Sequence, residues 1–333
     1  MTPVAVLADV AAHAGVSLST VSRVITGRTP VSARTRERVE KAIAELDYRP
    51  NAAAQALVSG RSTVVSVIAK NTLRWGYAAT LQGIEEAARA AGYAVMITVV
   101  DSALPSDLER AVDSVATRSI AGAVVIDFDA VGSQSLAALP RSVRVVASAG
   151  ALKQGEDRPH AYLDDYEGGR RATEYLLSLG HETVHHIAIP STSERSGREW
   201  GWRDALVAAG ARIPPVIGAD YDPRSGYRAA KLLPAEATAI LCGNDEVAIG
   251  VIRELTERGV RVPADVSVMG FDDQDFAAMW SPALSTVRQD FSDLGRRTFA
   301  LLLEWIQTGV RPPDSIAAAE VVVRESTAPP PAC

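Results

Sequence analysis

From residue 63 onward, short apolar runs alternate with stretches of helical spacing. The runs VVSVIA (64–69), GAVVID (122–127) and AILCG (239–243) are apolar along nearly their whole length, which is typical of strands covered on both faces. Helical stretches, such as 78–91 and 244–258, separate these runs. Alternation of this kind predicts parallel α/β sheets with helices on both faces.

The alternation restarts after His160, so the sequence predicts two α/β units of similar size. The second unit is predicted to open with the strand AYL at 161–163 and the helix 166–179. A helix over 290–307 and a strand near 317–323 finish the chain. Two such sheets face each other across a crevice, and ligands bind beyond the carboxyl ends of their strands.

The first fifty residues show a different pattern, with apolar residues at helical spacing from Leu7 to Ala14. Gly15 permits a positive φ that ends this helix, and Ser17 is predicted to cap a second helix over 18–25. The apolar residues of this second helix face the first helix. The outward face then carries Leu18, Ser19, Ser22 and Arg23. This arrangement predicts a helix-turn-helix whose second helix enters the major groove of DNA. An ordinary helical hairpin with a solvated face is the alternative.

The charge is distributed unevenly along the chain. Residues 1–61 carry eight Lys or Arg and five acids, so this end has a net charge of +3 within a chain of −6. The remainder carries −9. A positive N-terminal region suits phosphate binding, and an acidic body discourages non-specific binding to nucleic acid.

A third helix and a short alanine-rich segment follow the helix-turn-helix. Ser32 is predicted to cap the third helix, which completes a DNA-binding domain over 1–50. Residues 51–62 favour helix by composition, but a helix this short is marginal in water unless another surface packs on it. We expect a hinge helix here, with a plain linker as the alternative. The body is predicted over 63–328, with a tail at 329–333.

Several features exclude other classes of protein. The run His181-Glu182-Thr183-Val184-His185 spells a zinc-protease motif, but it straddles a helix end and a strand start, so we expect no metal. We find no nucleophile paired with a base and no phosphate-binding loop, and we expect neither enzyme activity nor a cofactor. Two cysteines do not make a disulfide framework. The absence of a signal pattern and of a membrane-length apolar run predicts a cytoplasmic protein.

Four stretches together carry a specific resemblance. VLADVAAHAGVSLSTVSRVITG, the block 31–62, LCGNDEVAIG and DVSVMGFDD resemble the lactose/galactose repressor (LacI/GalR) family of bacterial transcription regulators. The similarity covers essentially the whole chain, and the body is similar to periplasmic sugar-binding proteins of the first type. The resemblance implies two doubly wound parallel-sheet lobes. The first would span about 63–161 and 290–318, and the second about 162–289 and 319–328.

The resemblance also implies contacts with operator DNA. Leu18 and Ser19 fall at base-reading positions, and Arg23 at a position that contacts a base or a phosphate. Phosphate-contacting positions are occupied by Thr20, Ser22, Ser32 and Thr35. Asn51 and Leu57 fall in the hinge helix, where the leucine wedges into the minor groove. The chain departs from the family pattern at Val6, Ala8 and Ala52, which puts the operator sequence in doubt at those contacts.

In the body, the resemblance implies a sugar site. Positions that hold effector hydroxyls carry Arg198, Asn244 and Asp272, and Tyr221 matches an aromatic residue that packs on a sugar face. Gln289 and Phe291 match positions at the crossover between lobes, and Trp75 either lines the crevice or belongs to the core. Each polar residue has an alternative role: Asp272 in a helix cap or surface turn, Asn244 as the cap of the next helix, and Arg198 paired with an acid on its own helix.

We therefore expect a homodimeric repressor that a small sugar, for which a galactoside is the first choice, releases from a palindromic operator. The dimer is expected because no tetramer-forming heptad run follows residue 323, and its interface would come largely from first-lobe helices. The alternative is a sugar-binding receptor of the transport type without a DNA role. Such a receptor needs an export signal, whereas this chain opens with a basic helical domain. The sign of the ligand's effect on DNA binding stays open at this point.

Overall fold

The computed structural model describes residues 5–26, 30–48, 62–116, 119–151, 157–191 and 197–331. The chain divides into two compact units, Met1–Thr63 and Val64–Cys333. Most of the predicted hinge segment, including Asn51 and Leu57, lies outside the described residues.

The N-terminal unit contains three helices, α1 (Leu7–Ala14), α2 (Leu18–Thr26) and α3 (Ala33–Glu45). They close around a small core in which Val10, Val21 and Val39 are fully buried. Gly15 has a φ of 62° and ends α1, as predicted. Ser17 caps α2, because its Oγ accepts a hydrogen bond from the Thr20 amide at 3.2 Å. Ser32 caps α3 in the same way, through the Thr35 amide at 3.3 Å.

The body alternates strands and helices. In chain order its elements are β1 (Val64–Ala69), α4 (Trp75–Ala90), β2 (Ala94–Val99), α5 (Pro105–Ala116), β3 (Gly122–Asp127), α6 (Ala130–Ala138), β4 (Val145–Ala149), β5 (His160–Leu163), α7 (Asp165–Ser178), β6 (His185–Ala188), α8 (Arg198–Ala208), β7 (Ile217–Gly218), α9 (Pro223–Ala230), β8 (Ala239–Cys242), α10 (Asp245–Glu257), β9 (Ser267–Met269), a 3₁₀ turn (Asp275–Ala278), β10 (Thr286–Arg288), α11 (Phe291–Thr308), β11 (Ser315–Ala317) and β12 (Glu320–Val322). The predicted α/β class is confirmed.

Two parallel sheets form the two lobes of the body. The first has the strand order β11-β5-β4-β3-β1-β2, and the second has the order β7-β6-β8-β9. Every residue of β3 and of β8 is buried, as expected for central strands covered on both faces. Strand β10 pairs antiparallel with β12, and parallel bridges from Met269 to Ser285 and from Asp272 to Arg288 connect this ladder to the end of β9. The single strand predicted near 317–323 is therefore two strands, β11 in the first sheet and β12 in this ladder.

The strand AYL was assigned to the wrong sheet by the sequence pattern. It forms β5, which pairs in parallel with β4 and with β11 inside the first sheet. The predicted boundary at 161/162 therefore cuts a strand, and the second lobe begins only with α7. The apolar pattern predicts a strand here but carries no information about which neighbour the strand pairs with. Helix α6 was not predicted, because AVGSQSLAA has few large apolar residues to mark a helical face.

The chain passes between the lobes three times: from β5 to α7, from β10 to α11, and from β11 to β12. Asp273 holds the last two passages together. Its carboxylate accepts hydrogen bonds from Arg288 Nε at 2.8 Å and from Arg324 Nη2 at 2.6 Å, and Arg288 also donates to Glu320 on β12. Among the described residues, no helix is long and apolar enough to cross a membrane.

Candidate functional site

A cleft of about 1080 Å³, partly open to solvent, lies where the carboxyl ends of the two sheets meet. It is lined from the first lobe by the loops after β1, β3, β4 and β5, and from the second lobe by the loops after β6, β7, β8 and β9. Ligand sites of open α/β sheets occur at this edge. The predicted site residues Arg198, Tyr221, Asn244, Asp272, Phe291 and Trp75 all line this one cleft.

Arg198, the first residue of α8, lies at the centre of the cleft between two carboxylates. Its Nε is 3.2 Å from Asp165 Oδ1, and its Nη2 is 3.1 Å from Asp272 Oδ1. Its Nη1 donates to the Gly243 carbonyl, and its guanidinium lies 3.9 Å from the ring centroid of Phe271. The alternative that Arg198 pairs with an acid on its own helix is wrong, since Asp165 lies at the start of α7 and Asp272 in the loop after β9.

The position of Asp272 is fixed by its backbone. Its amide donates to the Val287 carbonyl at 2.8 Å, its carbonyl accepts from the Gln289 amide at 3.2 Å, and its φ is 113°. Only 8% of the residue is exposed, so Asp272 does not lie in a solvated turn. Burial raises the pKa of its carboxyl from 3.8 to about 7, although Arg198 favours the ionised form. Burial also raises the pKa of Asp165.

Four buried polar atoms in and beside the cleft have no hydrogen-bond partner within the described part of the chain. Two are donors, Trp75 Nε1 and Arg198 Nε, and two are acceptors, Asp272 Oδ1 and Gln289 Oε1. The amide nitrogen of Gln289 is satisfied, because it donates to Asp165 Oδ1 at 2.9 Å. Arg198 Nε and Asp272 Oδ1 are nevertheless ion-paired, at 3.2 Å from Asp165 Oδ1 and 3.1 Å from Arg198 Nη2, and Gln289 lies outside the cleft lining. The Trp75 indole N–H is the cleft-lining group of this set that has no partner among the described residues.

Asn244 serves as a cap, which was its alternative role. Its Oδ1 accepts from the Val247 amide at 2.8 Å at the start of α10, and its Nδ2 donates to the Tyr221 carbonyl at 3.1 Å. The amide thereby ties the loop after β7 to the loop after β8. A side chain held at both ends presents its remaining lone pairs in a fixed direction.

Aromatic side chains form two walls of the cleft. In the second lobe, Tyr221 donates to the Pro190 carbonyl at 2.9 Å, and the Arg74 guanidinium of the first lobe lies 4.3 Å from its ring centroid. In the first lobe, Phe291 packs edge-on against Phe128 at 5.7 Å between centroids. Trp75 fits both of its predicted roles, since it lines the cleft and packs on the core of the first sheet.

Asp165, Arg74 and Glu246 are among the cleft residues that the sequence did not predict. Asp165 lies two residues after the strand that was assigned to the wrong sheet, so a correct assignment of β5 would have placed it at the carboxyl edge of the first sheet. Glu246 lies two residues after Asn244, inside the stretch LCGNDEVAIG that carries the family resemblance. Arg74 precedes α4, and no sequence signal distinguishes it from any exposed loop arginine.

Two glycines allow α7 and α8 to approach closely beside the cleft. A Cβ at Gly169 would lie 2.2 Å from the Arg198 carbonyl oxygen, and a Cβ at Gly201 would lie 1.9 Å from the Tyr166 carbonyl oxygen. Neither helix can make room for such an atom without moving. The close contact between these helices therefore sets the position of Arg198.

In the N-terminal unit, the predicted DNA-contacting residues lie on α2 and at the start of α3. Leu18 is 51% exposed, Ser19 and Arg23 are exposed, and Thr20 and Ser22 are partly exposed. Ser17 Oγ lies 2.8 Å from Ser19 Oγ, and Ser32 Oγ lies 2.8 Å from Thr35 Oγ1, so hydroxyl groups cluster at both helix starts. Arg38 is engaged elsewhere, because it donates to the Ala14 and Gly15 carbonyls at the end of α1.

The run 181–185 does not have the helical geometry of a zinc-protease motif. His181 lies outside any helix, 3.0 Å from Thr238 Oγ1 and 3.0 Å from the Ala328 carbonyl oxygen. Burial lowers the pKa of His181 and keeps the ring neutral. Within the described ranges, no group of three potential ligands could hold a metal ion.

Comparison with protein families gives two matches. Residues 6–51 match the bacterial regulatory proteins of the lacI family, and residues 173–327 match the periplasmic binding protein-like domain. The chain is 31% identical to the lactose operon repressor of Escherichia coli K12 over 97% of its own length and 91% of the relative's. It is 32% identical to the transcriptional repressor PurR of Erwinia tasmaniensis over 91% and 90% of the two chains.

Solved structures give the same picture. The lac repressor dimer bound to operator and the anti-inducer ONPF matches with a TM-score of 0.88 at 29% identity, over 98% of this chain and all of the other. The regulator CelR in complex with cellobiose matches with a TM-score of 0.71 at 29% identity, over 97% and 99% of the two chains.

Proposed function

This chain belongs to the lacI family of bacterial regulatory proteins, and we propose that it is a transcriptional repressor whose affinity for operator DNA is lowered by a sugar bound in the cleft. The observation that carries the proposal is the arrangement of Arg198 between Asp165 and Asp272 in a cleft with aromatic walls. The relatives are repressors by name, and one of their structures contains both operator and a small molecule.

A sugar fits this site for chemical reasons. Each hydroxyl group can donate to a carboxylate while accepting from a guanidinium or an indole N–H, and the cleft supplies all three groups. The aromatic side chains Trp75, Tyr221 and Phe291 supply apolar contact for the ring carbons. A flat apolar ligand would leave the Trp75 indole N–H buried without an acceptor, which is costly.

Within the sugars, we propose a galactoside as the first compound to test. The support is the similarity of residues 71–93 to lactose-type regulators and the resemblance to the lactose operon repressor across both chains. The relatives named PurR and the cellobiose complex of CelR are equally similar in identity, so mono- and disaccharides of other configuration and purine bases belong in the same panel.

On DNA, we propose that a homodimer binds a near-palindrome, with α2 of each copy in the major groove. Exposed residues on the first-lobe surface support self-association: β2 is an edge strand, and its Ile97 and Val99 are each 48% exposed. Two copies of α2 related by a two-fold axis require two half-sites in the DNA. The centres of these half-sites are separated by about one turn of the double helix or a multiple of it.

The test combines ligand binding with DNA binding. A thermal-shift panel of galactosides, glucosides, pentoses and purine bases identifies the ligand, and calorimetry measures its affinity. An electrophoretic shift with DNA from upstream of the gene then measures operator affinity with and without that ligand. We expect one sugar to raise the melting temperature and to weaken the shift. A purine base that does both instead would overturn the sugar assignment and leave the repressor assignment intact.

A further inference from the structure

The imidazole of His186 lies in the lining of the cleft, and the sequence did not predict it as a site residue. His186 is the second residue of β6, and only 2% of it is exposed. Its ring stacks on the indole of Trp202, with 5.4 Å between the ring centroids and 30° between the planes. Trp202 is itself fixed, because its Nε1 donates to the Val184 carbonyl at 2.8 Å. The fold therefore holds the His186 ring in one orientation.

One hydrogen bond determines which ring nitrogen of His186 carries the proton. Nδ1 lies 2.9 Å from the carbonyl oxygen of Leu241, its partner on the neighbouring strand β8. A carbonyl oxygen only accepts hydrogen bonds, so Nδ1 is the protonated nitrogen. Burial lowers the pKa of His186 to about 4, and the positive charge of Arg198 acts in the same direction. At neutral pH the ring is therefore uncharged, and Nε2 is an acceptor with one lone pair.

Nε2 of His186 has no hydrogen-bond donor within the part of the chain that the structure describes. The Nε2 atoms of His160 and His185 also lack a partner there, but the protein encloses them fully. Nε2 of His186 is not enclosed in this way, and the cavity that this ring lines is the cleft. A nearly buried acceptor that opens onto a ligand site indicates a ligand that donates a hydrogen bond.

Several other acceptors of the cleft are already engaged. Asp165 and Asp272 pair with Arg198, and Asn244 Oδ1 accepts from an amide of its own helix. These oxygens have further lone pairs and can accept from a ligand as well, whereas the imidazole nitrogen has a single lone pair. The single lone pair of His186 is therefore satisfied only when the ligand presents a donor to it.

We propose that His186 determines specificity as a ligand contact whose Nε2 accepts a hydrogen bond from one hydroxyl group of the sugar. The assignment rests on the proposed function, since it concerns the same effector in the same cleft. A hydrogen, a fluorine or a methoxy group at that ring position cannot donate and leaves Nε2 without a partner. His186 thereby excludes sugars in which this hydroxyl is missing or is substituted by a second sugar in a glycosidic link.

Calorimetry with the effector sugar and its monodeoxy and monodeoxyfluoro analogues, one ring position at a time, tests this contact. Fluorine is close to a hydroxyl group in size but cannot donate a hydrogen bond. At each position whose hydroxyl donates to the protein, we expect both analogues to bind the wild type about tenfold more weakly than the parent sugar. A tenfold loss corresponds to about 1.4 kcal/mol, within the range for an acceptor left without its donor.

Variants of His186 identify the position that it contacts. His186→Phe keeps an aromatic ring on Trp202 and removes Nε2, so the parent sugar should bind about tenfold more weakly. At one ring position, the deoxy analogue should then bind this variant as tightly as the parent does. His186→Gln, which restores an acceptor, should bring back part of that difference. His185→Phe is the matched control, because His185 is the preceding buried residue of β6 and does not line the cleft.

A measurement on the wild-type protein is independent of how well the variants fold. When the five histidines are labelled with ¹⁵N, sugar binding should move the Nε2 resonance of one neutral ring much more than its Nδ1 resonance. That ring is His186, because His13, His160, His181 and His185 do not line the cleft.

The outcomes separate this assignment from the proposed function. If His186→Phe retains every difference between the parent sugar and its analogues, or if no Nε2 resonance moves when the sugar binds, His186 is not a ligand contact and the sugar effector stands. A loss of the same difference in His185→Phe also contradicts the assignment. If none of the sugars binds the wild type, the proposed function is wrong, and the contact with a sugar hydroxyl is wrong with it.

Discussion

Asp272 is buried, lines the cleft and forms an ion pair with Arg198. Replacing its carboxylate with an amide in Asp272→Asn removes a charged acceptor for a sugar hydroxyl. We expect the affinity for the sugar to fall by about 1.5–3 kcal/mol, the range for hydrogen bonds to charged groups. Calorimetry with the sugar identified by the panel measures this. Operator binding without sugar should stay unchanged.

The neighbouring Asp275→Asn is the matched control, because Asp275 is exposed and does not line the cleft. If Asp272→Asn binds the sugar as tightly as the wild type, Asp272 is a structural residue of its loop and not a ligand contact.

The raised pKa of Asp272 also predicts a pH dependence of stability. Its pKa is about 7 in the folded protein and 3.8 as its ordinary value, so the folded protein binds more protons than the unfolded chain between about pH 4 and pH 7. Stability therefore falls as the pH rises through this range, by at most about 1.4 kcal/mol per pH unit for one proton. Burial raises the pKa of Asp165 and Asp245 as well, which adds to the fall.

Urea unfolding of the body at several pH values measures this slope. In Asp272→Asn the titrating group is absent, so we expect a flatter dependence between about pH 4 and pH 7 than in the wild type. The same slope in both proteins would mean that Asp272 does not titrate in this range.

The sequence predicted which residues line the cleft better than it predicted the ion-pair and hydrogen-bond partners of those residues. Arg198, Tyr221 and Asp272 follow strands, and any residue that follows a strand of a parallel sheet reaches the same edge. Their pairings depend on elements far away in the sequence, and the contact of Arg198 with Asp165 depends on where β5 is inserted. Arg74 was missed because a contact with Tyr221 across the cleft leaves no pattern in the local sequence.

At the scale of elements, α2 carries a prediction about DNA. Arg23 is exposed on this helix, on the side opposite the buried Val21 and Val24. If Arg23 donates to a guanine edge in the major groove, Arg23→Ala should cost about 1–3 kcal/mol at one base pair. A gel-shift titration against the operator and its single-base variants shows the loss of preference at that position.

Random DNA of the same length is the comparison for this experiment. An equal loss of affinity on operator and on random DNA would contradict base reading and identify Arg23 as a phosphate contact.

The element-scale predictions succeeded where local chemistry decides the structure. Gly15, Ser17 and Ser32 mark helix ends through their own backbone and side-chain bonds, and all three lie where predicted. The errors at β5 and α6 concern a pairing partner and a helix without a strong apolar face. Both depend on tertiary contacts that lie far away in the sequence.

At the scale of the whole molecule, the proposed switch requires reciprocal coupling. If the sugar weakens operator binding by some factor, operator DNA must weaken sugar binding by the same factor. We expect a coupling of about 1–3 kcal/mol, the usual range for allosteric proteins. Fluorescence titrations of operator with and without saturating sugar, and calorimetry of sugar with and without operator, measure both sides. An increase in operator affinity with sugar would reverse the sign of the switch and make the sugar a co-repressor.

The close packing of α7 on α8 has a consequence for the genetics of this protein. Gly169 and Gly201 lie on these helices, and a methyl group at either would collide with the backbone of the other helix. The collision at Gly169 is with the backbone of Arg198, so an alanine there displaces the residue that we propose as a ligand contact. A selection for mutants that stay repressed in the presence of inducer should therefore recover substitutions at both glycines. Mutants at Gly169 or Gly201 would then behave as if a ligand contact were lost, although neither glycine lines the cleft.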